Sequence, residues 1–120
     1  MALRCLIVDD SAGFLEAARA LLEQEGAKVV AVASSGQEAL ARAEELRPDV
    51  TLIDIDLGGE SGFAVARELV HEGGVDARTV ILISAHAEGE FVDLIEACPA
   101  AGFLSKCDLS AAAIDALLER

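Results

Sequence analysis

Residues 50–63 read VTLIDIDLGGESGF. The run Val50 to Ile55 is nearly all apolar and carries several β-branched side chains, the pattern of a central parallel strand buried on both faces. It ends in two carboxylates, Asp54 and Asp56, and a loop of Leu57, Gly58, Gly59, Glu60, Ser61 and Gly62 then leads into a helix over Phe63 to Val70. A buried strand that stops in acid, turns on glycines and re-enters as a helix is half of a strand–helix–strand unit.

The same alternation recurs on both sides of this segment, five times in all and without a linker or low-complexity stretch. Leu3 to Val8 reads as the first strand, followed by Phe14, Leu15, Ala18, Leu21 and Leu22 at the spacing of one helical face, with Gly26 as the stop. Lys28 to Ala33 reads as the second strand. Ser35 and Glu38 make a capping-box pattern ahead of Ala39, Leu40, Ala43 and Leu46, and Pro48 and Asp49 end that helix. Beyond the central segment, Gly73 and Gly74 precede a fourth strand over Thr79 to Ser84. A weaker acidic helix over Ala87 to Ala97 stops at Pro99. Gly102 to Ser105 reads as a fifth strand, and Asp108 as the cap of a last helix with Leu109, Ile114, Leu117 and Leu118 inward. Strands joined by helical crossovers pair in parallel, and right-handed crossovers put helices on both faces. The fold class is α/β, a (βα)5 doubly wound, five-stranded parallel sheet.

Composition fits one such domain over residues 1–120. The chain of 120 residues is 53% hydrophobic and 26% charged, and a chain of this length buries roughly 65% of its unfolded surface, enough for one core. Nine basic against 22 acidic residues give a net charge of −13. That field argues against direct binding to nucleic acid or to an anionic membrane and favours basic partner patches or metal cations. Cys5, Cys98 and Cys107 form no pattern of a disulfide framework or zinc site, and Cys5 reads as a small core side chain. No signal-peptide or membrane-spanning run is present, so the expected compartment is the cytoplasm.

In a doubly wound sheet the ligand crevice lies beyond the carboxyl ends of the strands. The polar residues there are Asp9 and Asp10 after the first strand, Asp54 and Asp56 at the third, Ser84 at the fourth and Lys106 at the fifth. Two carboxylates about 5 Å apart repel by roughly 3 kcal/mol at an effective dielectric of 20, so such a cluster calls for positive charge. Lys106 and a divalent cation would supply it. An all-oxygen ligand set without His or Cys favours a hard ion, and Mg2+ suits a site with few protein ligands. An aspartate beside such an ion, facing a lysine and a hydroxyl, can attack phosphorus and form an acyl phosphate. Asp54 is the candidate nucleophile, because it sits on the central strand between the other carboxylates and the strand that brings Ser84.

With these residues placed, the sequence resembles the receiver domains of bacterial two-component response regulators, and the single-domain chemotaxis-type regulators in particular. The resemblance spans the chain. It rests on LIVDD ending at Asp9 and Asp10, TLIDIDLGGESGF with Asp54 at its first carboxylate, VILISA with Ser84, and AAGFLSK ending at Lys106, separated by 44, 30 and 22 positions from Asp10 onward. It implies a flavodoxin-like strand order of 2-1-3-4-5. It also implies that Asp54 accepts a phosphoryl group from a sensor histidine kinase or histidine phosphotransfer protein. Asp10, Asp54 and the backbone carbonyl of Asp56 would hold Mg2+, with Asp9 assisting, and Ser84 and Lys106 would bind the phosphoryl oxygens. Ser84 and Phe103 would act as the switch toward the face of the fourth helix, fifth strand and fifth helix. Asp56 and His86 are candidates for tuning the rate. The chain ends 14 positions after Lys106, so a downstream protein target or an output domain outside this sequence is expected.

Three positions depart from the family pattern. Cys107 stands where proline usually follows the lysine, and a cis bond there would cost about 2.5–4 kcal/mol. The expectation is a trans bond with an altered loop, or strain, with the position of Lys106 at stake. Ser84 replaces the commoner threonine, and Gly58 and Gly59 replace the usual proline and glycine, which should loosen the loop. Two other readings stay open. Asp54-Ile55-Asp56 is similar to the nucleophile motif of haloacid dehalogenase-like phosphatases, although those enzymes place that motif on their first strand. A receiver-shaped interaction module that no longer uses phosphate is the other.

Overall fold

The computed structural model describes residues 2–86 and 88–119. Ten elements alternate along the chain: β1 Arg4–Val8, α1 Ala12–Gln24, β2 Lys28–Ala33, α2 Gly36–Leu46, β3 Val50–Asp54, α3 Gly62–His71, β4 Val80–Ser84, α4 Val92–Ala97, β5 Gly102–Ser105 and α5 Ala111–Leu118. The strands form one sheet in the order β2-β1-β3-β4-β5, and every pairing is parallel. All five residues of β3, and all five of β4, are buried, as continuous apolar strands in the middle of a doubly covered sheet require.

Strand alternation splits the core into two layers. Leu6, Val8, Ile53 and Leu82 face Phe63, Ala66 and Leu69 of α3. Cys5, Ile7, Leu52, Ile81 and Ile83 face Ala18 and Leu22 of α1 and Ile114 of α5. The period of two has a functional consequence. Asp9 continues the series Cys5, Ile7, and Asp54 continues Val50, Leu52, so both carboxylates leave the sheet on the α1/α5 side. Ser84 continues Val80, Leu82 and leaves on the other.

Several boundaries differ from the sequence reading. Leu21 is 37% exposed, because the buried face of α1 is carried by Ala18 and Leu22 and flanked by half-buried Phe14 and Leu15. Asp108 does not cap the last helix. It lies in a 3-10 turn over Lys106–Asp108, and Ser110 caps α5 by accepting from the Ala113 amide at 3.0 Å. The acidic helix is ordered as α-helix only over Val92–Ala97, behind a 3-10 turn at Glu88–Glu90; Ala87, its expected start, lies outside the described residues. Val92 and Leu94 are exposed, so little apolar burial supports a longer helix there. The capping box is shifted by one. The Ser35 hydroxyl accepts from the Glu38 amide at 3.2 Å, but the Glu38 carboxylate accepts from the amide and hydroxyl of Ser34 at 3.0 and 2.7 Å.

Candidate functional site

The carboxyl edge of the sheet holds a cavity of about 200 Å³ lined by Asp9, Asp10, Ser11, Asp54, Asp56, Gly58, Ser84, Ala85, His86 and Lys106. All six polar residues expected at the strand ends line it. Asp9 is fully buried, and its Oδ1 accepts from the Ser11 amide at 2.8 Å. Asp54 is 6% exposed, and its Oδ1 accepts from the Asp56 amide at 3.1 Å. Lys106 closes the cluster, with Nζ 2.7 Å from Oδ2 of Asp9 and 3.1 Å from Oδ2 of Asp54. Oδ2 of Asp9 is fully buried, and the Lys106 ammonium is the charged group held against it. A buried carboxylate oxygen is suited to a cation.

The donor set fits a hard divalent ion. Asp9, Asp10 and Asp54 each offer one carboxylate oxygen, and these atoms lie within 4.8 Å of one another. Burial pushes the Asp54 carboxyl above its ordinary value and the charge of Asp9 adds to this, while the Asp56 amide and Lys106 pull it back only in part. For Lys106, burial disfavours the ammonium, yet the two carboxylates outweigh it and raise its pKa. The site is therefore an anionic cluster with one fixed cation and unspent acceptor capacity.

The bond from Lys106 to Cys107 resolves in favour of the altered loop. No cis peptide bond occurs among the described residues. The chain after Lys106 turns into the 3-10 segment, with the Ser105 hydroxyl accepting from the Cys107 amide at 3.4 Å. Lys106 keeps its place over both aspartates, and Cys107 is exposed.

The glycine loop after Asp54 is tied down rather than loose. Leu57 donates to the Glu60 carbonyl at 3.0 Å, Asp56 Oδ1 accepts from the Gly58 amide at 3.1 Å, and Asp56 bridges to Ser61. Gly58 has φ +75°, and a Cβ there would come 3.0 Å from Oδ2 of Asp10. Sequence reading missed the anchor at the far side: Oε1 of Glu60 accepts from the amide of Gly36, the first residue of α2, at 2.8 Å. A carboxylate at a helix N-terminus satisfies an otherwise unpaired donor and meets the positive end of the helix dipole. Glu60→Ala is expected to cost about 1 kcal/mol and to speed hydrogen exchange at the Gly36 amide, with Glu60→Gln recovering most of the protection. Unchanged exchange at that amide in Glu60→Ala would show the tie to be dispensable.

The remaining expected residues are less committed. Ser84 is buried, and its Oγ accepts from the His86 amide at 2.9 Å. His86 lies at the cavity mouth with its side chain 58% exposed, 3.5 Å from Glu90 and edge-on to Phe91. Asp56 is exposed, with Oδ1 accepting from the Gly58 amide. Phe103 is half-buried on β5 against the α3-side layer. Phe14, which the sequence reading treated only as core, lies with its ring centroid 4.1 Å from Nζ of Lys106.

A doubly wound sheet whose carboxyl edge gathers three aspartates and a lysine points to the receiver class, and the comparisons with known proteins agree. The chain belongs to the response regulator receiver domain family, whose family model matches residues 5–118. It is 36% identical over 105 residues to the nitrate/nitrite response regulator protein homolog of Haemophilus influenzae, covering 87% of this chain and 50% of that protein. It is 37% identical over 81 residues to protein PilH of Pseudomonas aeruginosa, covering 68% and 66%. The chemotaxis response regulator CheY4 of Vibrio cholerae superposes with a TM-score of 0.80 at 25% identity, covering 100% of this chain and 98% of that one. The chain spans 18%, 25% and 50% of the first three curated relatives it matches. It is a receiver domain of two-component signalling, and neither the phosphatase nor the phosphate-independent alternative gains support from these likenesses. Phosphorylation and Mg2+ are typical of the family. No helix among the described residues is long and apolar enough to cross a membrane.

Proposed function

We propose that residues 1–120 act as one phosphoacceptor domain in which Asp54 takes a phosphoryl group from the phosphohistidine of a sensor histidine kinase or histidine phosphotransfer protein. The observation that supports this reading is the contact of Lys106 with both Asp9 and Asp54 at a cluster of three carboxylates that could share one cation. An Asp54 oxygen attacks phosphorus, the phosphorus–nitrogen bond breaks, and the imidazole leaves with its electron pair. Lys106 releases Asp54 and follows the charge to a phosphoryl oxygen, and the Ser84 hydroxyl, freed from the His86 amide, donates to another. Mg2+, held by Asp9, Asp10, Asp54 and the Asp56 carbonyl, would supply charge neutralisation for the entering phosphoryl oxygens.

Movement of Ser84 and inward rotation of Phe103 would then bias the α4–β5–α5 face between two states, read by a downstream protein target or an output domain. His86 and Asp56, which line the same cavity, would set how fast water resets Asp54. The domain catalyses only its own phosphorylation and dephosphorylation, in the cytoplasm, without direct contact to nucleic acid or membrane.

Incubation with a small acyl-phosphate donor should add one acid-stable, hydroxylamine-labile phosphoryl group by intact mass, and only with Mg2+ present. Donor consumption is followed in the same tube, since rapid hydrolysis removes the adduct while still consuming donor. Persistence of the donor together with an unmodified protein would overturn the reading.

A further inference from the structure

We propose that Phe14 is a positioning residue that holds the Lys106 ammonium over the site through its ring face; this rests on the phosphoacceptor reading of Asp54. Among the described residues, Nζ of Lys106 pairs with Oδ2 of Asp9 at 2.7 Å and Oδ2 of Asp54 at 3.1 Å, and lies 4.1 Å from the Phe14 ring centroid. Its side chain is 17% exposed, so these contacts are poorly screened and the ring attraction is stronger than at an open surface.

The three contacts respond differently to the working cycle. Asp9 and Asp54 belong to the set that fits a divalent ion, and a cation there would draw on the same carboxylates and repel the ammonium. Phosphorylation then consumes the Asp54 oxygen altogether. The ring neither ligates the ion nor takes the phosphoryl group, so its attraction for the ammonium does not compete with either step. Phe14 is also fixed relative to the carboxylates: its amide donates to Oγ of Ser11 at 3.2 Å, and the Ser11 amide donates to Oδ1 of Asp9 at 2.8 Å. One short chain of bonds therefore sets the ring and the buried acid in a single frame. On the other side of the lysine the backbone is less constrained, because Cys107 leaves φ free where a proline would fix it.

The test is a cycle of Phe14 variants with and without Lys106. Phe14→Leu should slow Mg2+-dependent phosphorylation from a small acyl-phosphate donor about three- to tenfold, and Phe14→Tyr should stay within about twofold of the parent. In a Lys106→Ala background Phe14→Leu should change the rate no further. A parent-like rate for Phe14→Leu, or an equal loss in the absence of Lys106, would overturn the proposal in favour of plain packing. A donor-free measurement separates this from the phosphoacceptor reading itself. The ε-methylene protons of Lys106 should show an upfield ring-current shift by NMR that Phe14→Leu removes. If that shift is missing from the parent protein the ring does not hold the lysine, whether or not Asp54 is modified.

Discussion

Asp54→Asn is expected to abolish the phosphoryl adduct completely and, in the same protein, to raise the stability of the metal-free fold. The first effect follows from chemistry, since an amide oxygen is a poor nucleophile and cannot form the acyl phosphate. The second follows from electrostatics. Asp54 is buried beside Asp9, and both burial and that charge raise its pKa. A carboxyl whose pKa is higher folded than unfolded favours folding fully only below its unfolded value, and this advantage is lost as pH rises through the folded value. At neutral pH the ionised Asp54 is therefore a strain on the apo fold, only partly relieved by Lys106. Asparagine keeps the acceptor for the Asp56 amide, removes the repulsion and leaves Lys106 to Asp9. A gain of about 1 kcal/mol is expected at pH 7, a rise of several degrees in Tm, shrinking toward pH 4. Added Mg2+ should narrow the difference, because the parent, with one more carboxylate at the site, gains more from the ion. A variant that melts below the parent at pH 7 without Mg2+ would show that the contact with Lys106 outweighs the burial.

The residues of this site were legible in the sequence to the extent that local pattern decides them. Val50 to Asp54 is apolar apart from Thr51 and its closing acid, and its burial on both faces puts it in the interior of the sheet. Once the strands alternate with helices, the carboxyl edge and its acids follow from topology. What was not legible depends on contacts between distant segments. Glu60 reads as one more solvated acid in a chain with 22, and only the packing of α2 beside the loop turns it into an anchor. Phe14 has the spacing of a core residue, and the packing that half-buries it also lays it against Lys106, 92 positions away in the chain. The fourth helix was read too long because acidic residues with good helix propensity cannot compensate for exposed Val92 and Leu94. The last helix was assigned to Asp108 because Asp and Ser cap equally well, and only backbone geometry chooses Ser110.

Gly62 carries the second large effect, for a reason no local pattern discloses. It is the first residue of α3, and its amide donates to the Ile55 carbonyl at 2.9 Å. A Cβ built on it would overlap the carbonyl oxygen of Asp54 and lie 2.6 Å from Cα of Ile55 and 2.7 Å from the carbonyl carbon of Asp54. All three are backbone atoms of the strand end that presents the phosphoacceptor, so no side chain can swing aside to make room. Gly62→Ala must push α3 off the sheet or displace Asp54, and a cost of about 3 kcal/mol or more is expected in urea denaturation. Neighbouring glycines separate this from a general sensitivity of the loop. A Cβ on Gly59 meets nothing within 4 Å, so Gly59→Ala should fall within about 0.5 kcal/mol of the parent. Gly58 has φ +75°, and Gly58→Ala should cost about 1 kcal/mol through the left-handed backbone. Gly62→Ala melting beside Gly59→Ala would mean that α3 yields freely at its first turn, and that the position of Asp54 is not set by this contact.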